Sequence, residues 1–361
     1  MSAESATHTG TAPPRSPQSS QPSQPSQSPQ PPTPPSHGRH VVAVVVLVPV
    51  LVALALWAFA WPAARTAPRD LPLGVAGPAT VATQIQKQLE EHEGAFEIHR
   101  YADEAAARDA IEDRTVYGAV VATEQGPKLL TASAASPFVA QLLQQSVTQQ
   151  AGGAQVRTVD VVPAAKDDPR GSALTSSVLP LTLAGIAAGA VVTLLGLRGR
   201  RAIVALVGAS ALVGLVAASL AGSWLGALTG NWWAQAGALG LATLAVGAAV
   251  AGLAALLGPP GIGLGGLVVM LLGNPFSGAA TAPEMLPDPV GTIGQWLPPG
   301  AGVSLLRSIS FFDGAAAAAP ALTLTWWAAL GLGAILLGSA LKRRKETTAP
   351  ALTDHEPAPA N

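Results

Sequence analysis

Apolar residues fall along this chain in long unbroken runs, and the first, residues 41–60, holds no charged, hydroxyl or amide side chain. At about 1.5 Å per residue such a run crosses a hydrocarbon core of about 30 Å as one helix. Further runs near 176–197, 202–225, 232–257, 261–278 and 320–341 predict five more membrane helices. The run at 261–278 is short and rich in glycine. Between the first and second runs the pattern becomes that of a soluble domain. Leu71 to Ala76 reads as a strand, and 80–92 as a helix with Val81, Ile85 and Leu89 on one face. Residues 95–101 alternate as a strand, and 103–114 form an alanine-rich helix with Asp103 as N-cap and Glu104 in its first turn. Strands at 116–122 and 128–131, a helix at 137–150 and a strand at 155–162 complete a β-α-β-α-β-β-α-β order, which predicts a small α/β domain.

The predicted fold is therefore an α-helical integral membrane bundle of about six transmembrane helices, with an extracytoplasmic α/β domain inserted between spans one and two. Its expected parts are a Pro/Ser/Gln-rich disordered tail at 1–39, the first span at 40–62 and the α/β domain at 65–173. A five-span bundle follows at 174–341, with interfacial or re-entrant helices at 279–318, and then a basic and disordered tail at 342–361. Ala58-Phe59-Ala60 resembles a signal-peptidase site, but the first run exceeds the ~7–15 residues of a secretory core, so an uncleaved anchor is expected.

Charge sharpens this picture. No charged residue or histidine occurs from Ala202 to Pro283, a gap that a hydrated surface does not tolerate and a lipid-facing bundle requires. Basic residues cluster in Arg198, Arg200 and Arg201 and again in Lys342, Arg343, Arg344 and Lys345, each beside a membrane end. Both clusters on the cytoplasmic side give a plasma-membrane protein with both termini inside and the α/β domain outside. The net charge of −1 offers no general attraction to nucleic acid, and the absence of cysteine removes disulfides and thiolate chemistry.

Candidate chemistry is sparse. Gly261, Gly263 and Gly266 satisfy G-x-G-x-x-G but open a membrane run with no strand before them. With Gly265, the same residues suit close helix packing. No phosphate-binding loop of the G-x-x-x-x-G-K type is present, so the chain has no ATPase site of that kind. His92 and His99 lie among Glu90, Glu91, Glu93 and Glu97, a solvated acidic face rather than a metal site. No catalytic, cofactor or metal site is assigned, and the chain is not expected to be an enzyme.

Two segments remain. Asp168, Pro169, Arg170 and Gly171 stand where the α/β domain meets span two, and serve equally as an interfacial turn or as a joint transmitting motion. Residues 274–319 are broken by prolines into two short stretches, 289–297 with Val290, Ile293 and Trp296 on one face and 301–312 with Val303, Leu306 and Ile309 on one face. Neither is long enough to span, so both read as half-helices lining a cavity. Asn274, Pro275, Phe276, Glu284, Arg307 and Asp313 are the candidate outer gate, in which Arg307 either snorkels to headgroups or holds Glu284, Asp288 or Asp313.

One span, an outer domain, a joint reading Asp168-Pro169-Arg170-Gly171 and then five spans resembles permease-like proteins of the ABC type-2 superfamily. Leu297-Pro298-Pro299-Gly300 and Phe312-Asp313-Gly314 are similar to its phage-infection-protein-like branch, which carries a large outer domain after the first span. The likeness covers residues 41–344 in layout. It implies a homodimer working with a separate ATP-binding subunit, and half-helices after the fifth span. The loop between spans two and three, little more than Arg198 to Arg201, is shorter than the resemblance implies, and a Pro/Gln tail stands where an amphipathic helix is usual. The expected function is a permease-like subunit exporting a hydrophobic or envelope-related substrate. The alternative is a non-transporting envelope protein whose bundle anchors an extracytoplasmic binding domain. The partners expected are the lipid bilayer, a second copy and an ATPase, with no nucleic acid and no cofactor.

Overall fold

A computed structural model describes residues 37–91, 93–150 and 156–348. The expectations placed on 1–36, His92, 151–155 and 349–361 lie outside the described residues. The chain divides into two compact units, Met1–Pro49 and Val50–Asn361. In the first, the described part is the opening of helix α1, His37–Ala64. The second unit begins within α1 and holds everything after it.

After α1 the chain forms β1 (Leu71–Ala76), α2 (Ala79–Glu90), β2 (Phe96–Tyr101), α3 (Glu104–Glu112), β3 (Gly118–Thr123), β4 (Gly126–Thr131), α4 (Pro137–Gln150) and β5 (Arg157–Asp160). This is the order that the periodicity predicts. The strands make one sheet in the order β2-β1-β3-β4-β5, with β3 and β4 antiparallel and the other pairs parallel. Alternation sorts the side chains to two faces. Leu71, Leu73 and Val75 of β1 pack with Ala82 and Leu89 of α2 and Val139, Leu143 and Val147 of α4. Ala119 and Val121 of β3 pack on the other face with Ala107, Ala110 and Ile111 of α3. Asp103 caps α3, its carboxylate accepting from the Ala106 N–H at 2.9 Å.

The bundle follows as α5 (Ser172–Leu194), α6 (Gly199–Ala218), α7 (Trp232–Leu257), α8 (Pro260–Val268), α9 (Val290–Trp296), α10 (Pro298–Phe311) and α11 (Ala318–Thr348). Single π turns extend α6 through Ser219–Trp224 and α8 through Val269–Gly273. Among the described residues five helices are long and apolar enough to cross a membrane: Val41–Ala64, Ser172–Leu194, Gly199–Trp224, Trp232–Leu257 and Ala318–Arg344. The span expected at 261–278 is instead a shorter apolar helix, Pro260–Gly273, about 21 Å long. Pro275 lacks the N–H to continue it, and Gly273 sits so close to Pro299 that a Cβ there would lie 2.7 Å from its Cγ.

Helix α7 is the hub. Its neighbours reach it through glycines: a Cβ on Gly189 of α5 would meet the Gly247 carbonyl at 2.5 Å, and one on Gly331 of α11 would overlap the Ala248 carbonyl. Lipid offers no hydrophobic drive between helices, so such close backbone packing supplies the cohesion. Gly261 and Gly265 of α8 do the same against Leu253 and Val250, inside a helix where no dinucleotide turn exists. The helix ends gather at two levels. At one, the Gly199 N–H donates to Ser339 Oγ at 2.8 Å, and Gly338 lies on Ala255. At the other, Thr229 Oγ1 donates to the Ser310 carbonyl at 2.6 Å and Gly226 lies under Asp167, beside the sheet.

Candidate functional site

The turn between α3 and β3 carries two polar side chains that tie the sheet to the proline-broken segment and α10. Helix α3 ends with Arg114 in the left-handed region at φ 60°, its N–H donating to the Ile111 carbonyl and that of Thr115 to the Ala110 carbonyl. This closure satisfies the last carbonyls of the helix, at a cost of about 1–2 kcal/mol for a residue with a Cβ. It turns the chain so that the Arg114 guanidinium reaches α10, donating to the Ser304 carbonyl at 3.0 Å and to Ser308 Oγ at 2.5 Å. The same group lies over the Phe312 ring at 5.2 Å. Three residues on, Tyr117 donates its hydroxyl to Glu284 Oε2 at 2.8 Å.

The network continues into the proline-broken segment. Ser304 donates to Gln295 Oε1 at 2.5 Å, and Gln295 Nε2 donates to the Ser277 carbonyl at 3.0 Å. From the linker after α1, the Arg69 N–H donates to the Glu284 carbonyl at 2.9 Å and the Ala67 N–H to the Met285 carbonyl at 3.1 Å. Linker, sheet and segment are thus tied at Glu284 and Met285. Arg307 is buried, only 6% exposed, and donates to the Ala279 carbonyl at 2.7 Å. This corrects the snorkelling expectation. It also corrects the expected ion pair, since no carboxylate lies within 4 Å of Arg307 among the described residues. Burial pushes its guanidinium down to about 10, against the nearby Tyr117 and Glu284, which raise it. Arg114 is lowered too, again by burial, and Tyr117 is raised by burial and then by the Glu284 charge. Two cations and one carboxylate thus share a partly buried junction, where each hydrogen bond is electrostatically stronger than in water.

The structure brings Glu284 and Arg307 to this junction and leaves other candidates outside it. Asp313 is exposed in a turn at φ 50°, and Asp288 is exposed as well. Phe276 is buried beside Leu286 and Val290, a packing role, while the Asn274 carbonyl accepts from Ser277 Oγ at 2.7 Å to close the turn around Pro275. The face expected on α9 is divided: Val290 is buried with Gly291 and Gly294, whereas Ile293 and Trp296 are exposed. A Cβ on Gly294 would overlap the Phe276 carbonyl oxygen outright, so backbone and not side chain fills this contact.

At the joint, Asp168 is buried and caps α5. Its carboxylate accepts from the Ser172 N–H at 2.8 Å, Ser172 Oγ at 2.9 Å and the Ala173 N–H at 2.9 Å. Pro169 and Arg170 complete the turn, and Gly171 adopts φ 62°. Arg198, Arg200, Arg201, Lys342, Arg343 and Arg344 are exposed at the opposite level of the bundle, and Lys345 continues α11 with its side chain outside what is described. Sequence reasoning missed Arg114 and Tyr117. The one signal was Tyr117, a large polar side chain at the start of an otherwise apolar strand; nothing marked Arg114.

Residues 39–160 match the family model of ABC-2 family transporter proteins. The match supports an ABC-2 permease-like protein of the multi-pass membrane type. Neither the curated proteins nor the solved structures contain a match to the chain.

Proposed function

We propose that this chain is the membrane subunit of a type-2 ABC exporter, of the branch with a large outer domain, and that it moves a hydrophobic or envelope-related substrate. The family match carries the reading, because it runs through both the first span and the sheet rather than through a generic apolar helix. In this reading the sheet is extracytoplasmic, six segments cross the membrane and both termini are cytoplasmic. The two levels of helix ends support it, since α8 leaves Leu253 near one level and the segment after it reaches the start of α5 at the other, where Thr175 Oγ1 donates to the Ala279 carbonyl at 3.1 Å. All six exposed arginines and lysines described at the membrane ends of α6 and α11 then face inward. Energy enters through a separate ATP-binding subunit, and a second copy completes the pathway. The four-residue connection between α5 and α6 favours docking directly on the basic ends, near Arg198 and Lys342.

The same short connection also favours the anchor reading, in which no ATPase binds. Purification of the tagged full-length chain from native membranes in mild detergent separates the two. An ATP-binding subunit should copurify, and charge reversal at Arg198, Arg201 and Lys342 together should release it. If no partner is present and no ATP is hydrolysed, only the anchor remains. A reporter fused after Lys345 should be active only inside the cell, and external labelling there overturns the topology.

A further inference from the structure

Helices α2 and α4 pack on the same face of the sheet, α2 over β1, β2 and β3 and α4 over β4 and against Gly118 of β3, and the described residues leave a space between them. A cavity of about 380 Å³ remains. Its floor includes Leu73 and Val120, and its walls Ile85 and Leu89 of α2 and Leu143 and Val147 of α4. Folded interiors leave few voids larger than a water molecule, while pockets that hold small molecules span roughly 300–1,000 Å³. The cavity between α5, α7 and α10 in the bundle is only about 50 Å³. A packing defect is thus a poor account of the larger one.

The lining says what fits. No charged side chain lines the cavity, and its side-chain polar atoms come from Gln88 and Ser146. Gln88 is exposed and Ser146 partly so, whereas Leu73, Val120 and Leu143 are buried. Polar groups therefore mark the mouth and aliphatic ones the interior. A cavity so lined holds water poorly and takes apolar guests. Pro68 also lines it, four residues beyond Ala64, where the first membrane-length helix ends. Four residues reach at most about 14 Å, so the wall of the cavity starts close to where the chain leaves the bilayer.

We propose that this cavity binds one acyl chain of a membrane lipid, with the polar part of the lipid left at the mouth beside Gln88 and Ser146. The site does not depend on an ATPase, so its failure leaves the exporter reading standing and the reverse also holds. The test uses the full chain in lipid nanodiscs containing a trace of phosphatidylglycerol with a diazirine on one acyl chain. After irradiation, peptide mapping should place crosslinks on α2 and α4, and an excess of unmodified phosphatidylglycerol should reduce them. Ser146→Phe, which fills the mouth, should cut this labelling at least about tenfold, whereas Gln145→Phe on the exposed side of α4 should leave it unchanged. If Ser146→Phe does not fold, Gln88→Trp at the exposed rim should give a smaller loss in the same direction. Crosslinks confined to the bundle, or labelling of α2 and α4 that neither variant reduces, overturn the proposal. Labelling by a free diazirine palmitate but not by the phospholipid also overturns it.

Discussion

Tyr117 and Glu284 lie 167 positions apart in sequence and share one hydrogen bond, with the acceptor a carboxylate. Removing the hydroxyl leaves that carboxylate without its donor, which costs about 1–3 kcal/mol when the group is buried. Tyr117→Phe should therefore lower the thermal midpoint of the full chain in detergent, while the nearby exposed Thr115→Ala should not. Equal midpoints would mean that the junction is held by packing alone. A second residue gives a pH signature. Glu104 accepts from Lys128 Nζ at 2.6 Å and from Arg108 at 2.8 Å, and these two bonds hold its carboxyl below the ordinary range. Its folded pKa lies below its unfolded one, so its contribution is present at neutral pH and is lost as pH falls through the depressed value. The midpoint difference between the parent and Glu104→Gln should shrink toward zero as pH drops below about 4. A difference that stays constant with pH would rule out the carboxylate as its source.

At the scale of elements, the legible part and the illegible part divide by physics. Strands β1 to β5 and helices α2 to α4 could be read because one core face imposes periods of 2 and 3.6 on their side chains. Long apolar runs gave α1, α5, α6, α7 and α11 for the same reason, since lipid imposes a length. Residues 274–312 obey neither constraint. There α9 buries its glycines and exposes Ile293 and Trp296, so apolarity alone does not name the side that packs on protein. Helix α8 misled in length, because Pro275 ends it before the apolar run stops. Arg307 misled in its partner, since a lone arginine in an apolar segment reads as a surface anchor and here is buried against a backbone carbonyl. Glycine contacts give the element-scale prediction. Gly294→Ala must push α9 off the Phe276 carbonyl and should cost at least about 1–3 kcal/mol as overpacking. Gly263 of α8 has nothing within 4 Å of the place where an alanine methyl would stand, so Gly263→Ala should be neutral or stabilising by up to about 1 kcal/mol. Thermal midpoints of the two variants that fall in the reverse order would refute the contact geometry around α9.

For the molecule as a whole, the question is whether the sheet is a separate domain carried on the bundle. Its pattern predicts a self-sufficient α/β unit over 68–167. The cores say otherwise. Ala282 and Met285, at 0% and 1% exposure, complete the face formed by Leu71, Leu73 and Val75. Phe312 completes the opposite face beside Ala119 and Ile111, with Phe311 and Ala315 against it. Both inserts come from the proline-broken segment, which therefore grips the sheet from two sides. Burying a Met or Phe side chain is worth about 1.5–3 kcal/mol, so losing both forfeits about 3–6 kcal/mol. A domain this size has about 5–15 kcal/mol in total, and the polar ties of Arg114 and Tyr117 would go with them. Residues 68–167 expressed alone should accordingly bind a hydrophobic dye and melt without a cooperative transition, although far-ultraviolet dichroism still reports helix and strand. In the full chain, Met285→Ala and Phe312→Ala should each cost about 2–5 kcal/mol. A fragment that melts cooperatively and binds no dye would show that the sheet needs neither insert. The segment would then be a loose neighbour, unable to carry a displacement of the sheet into α10.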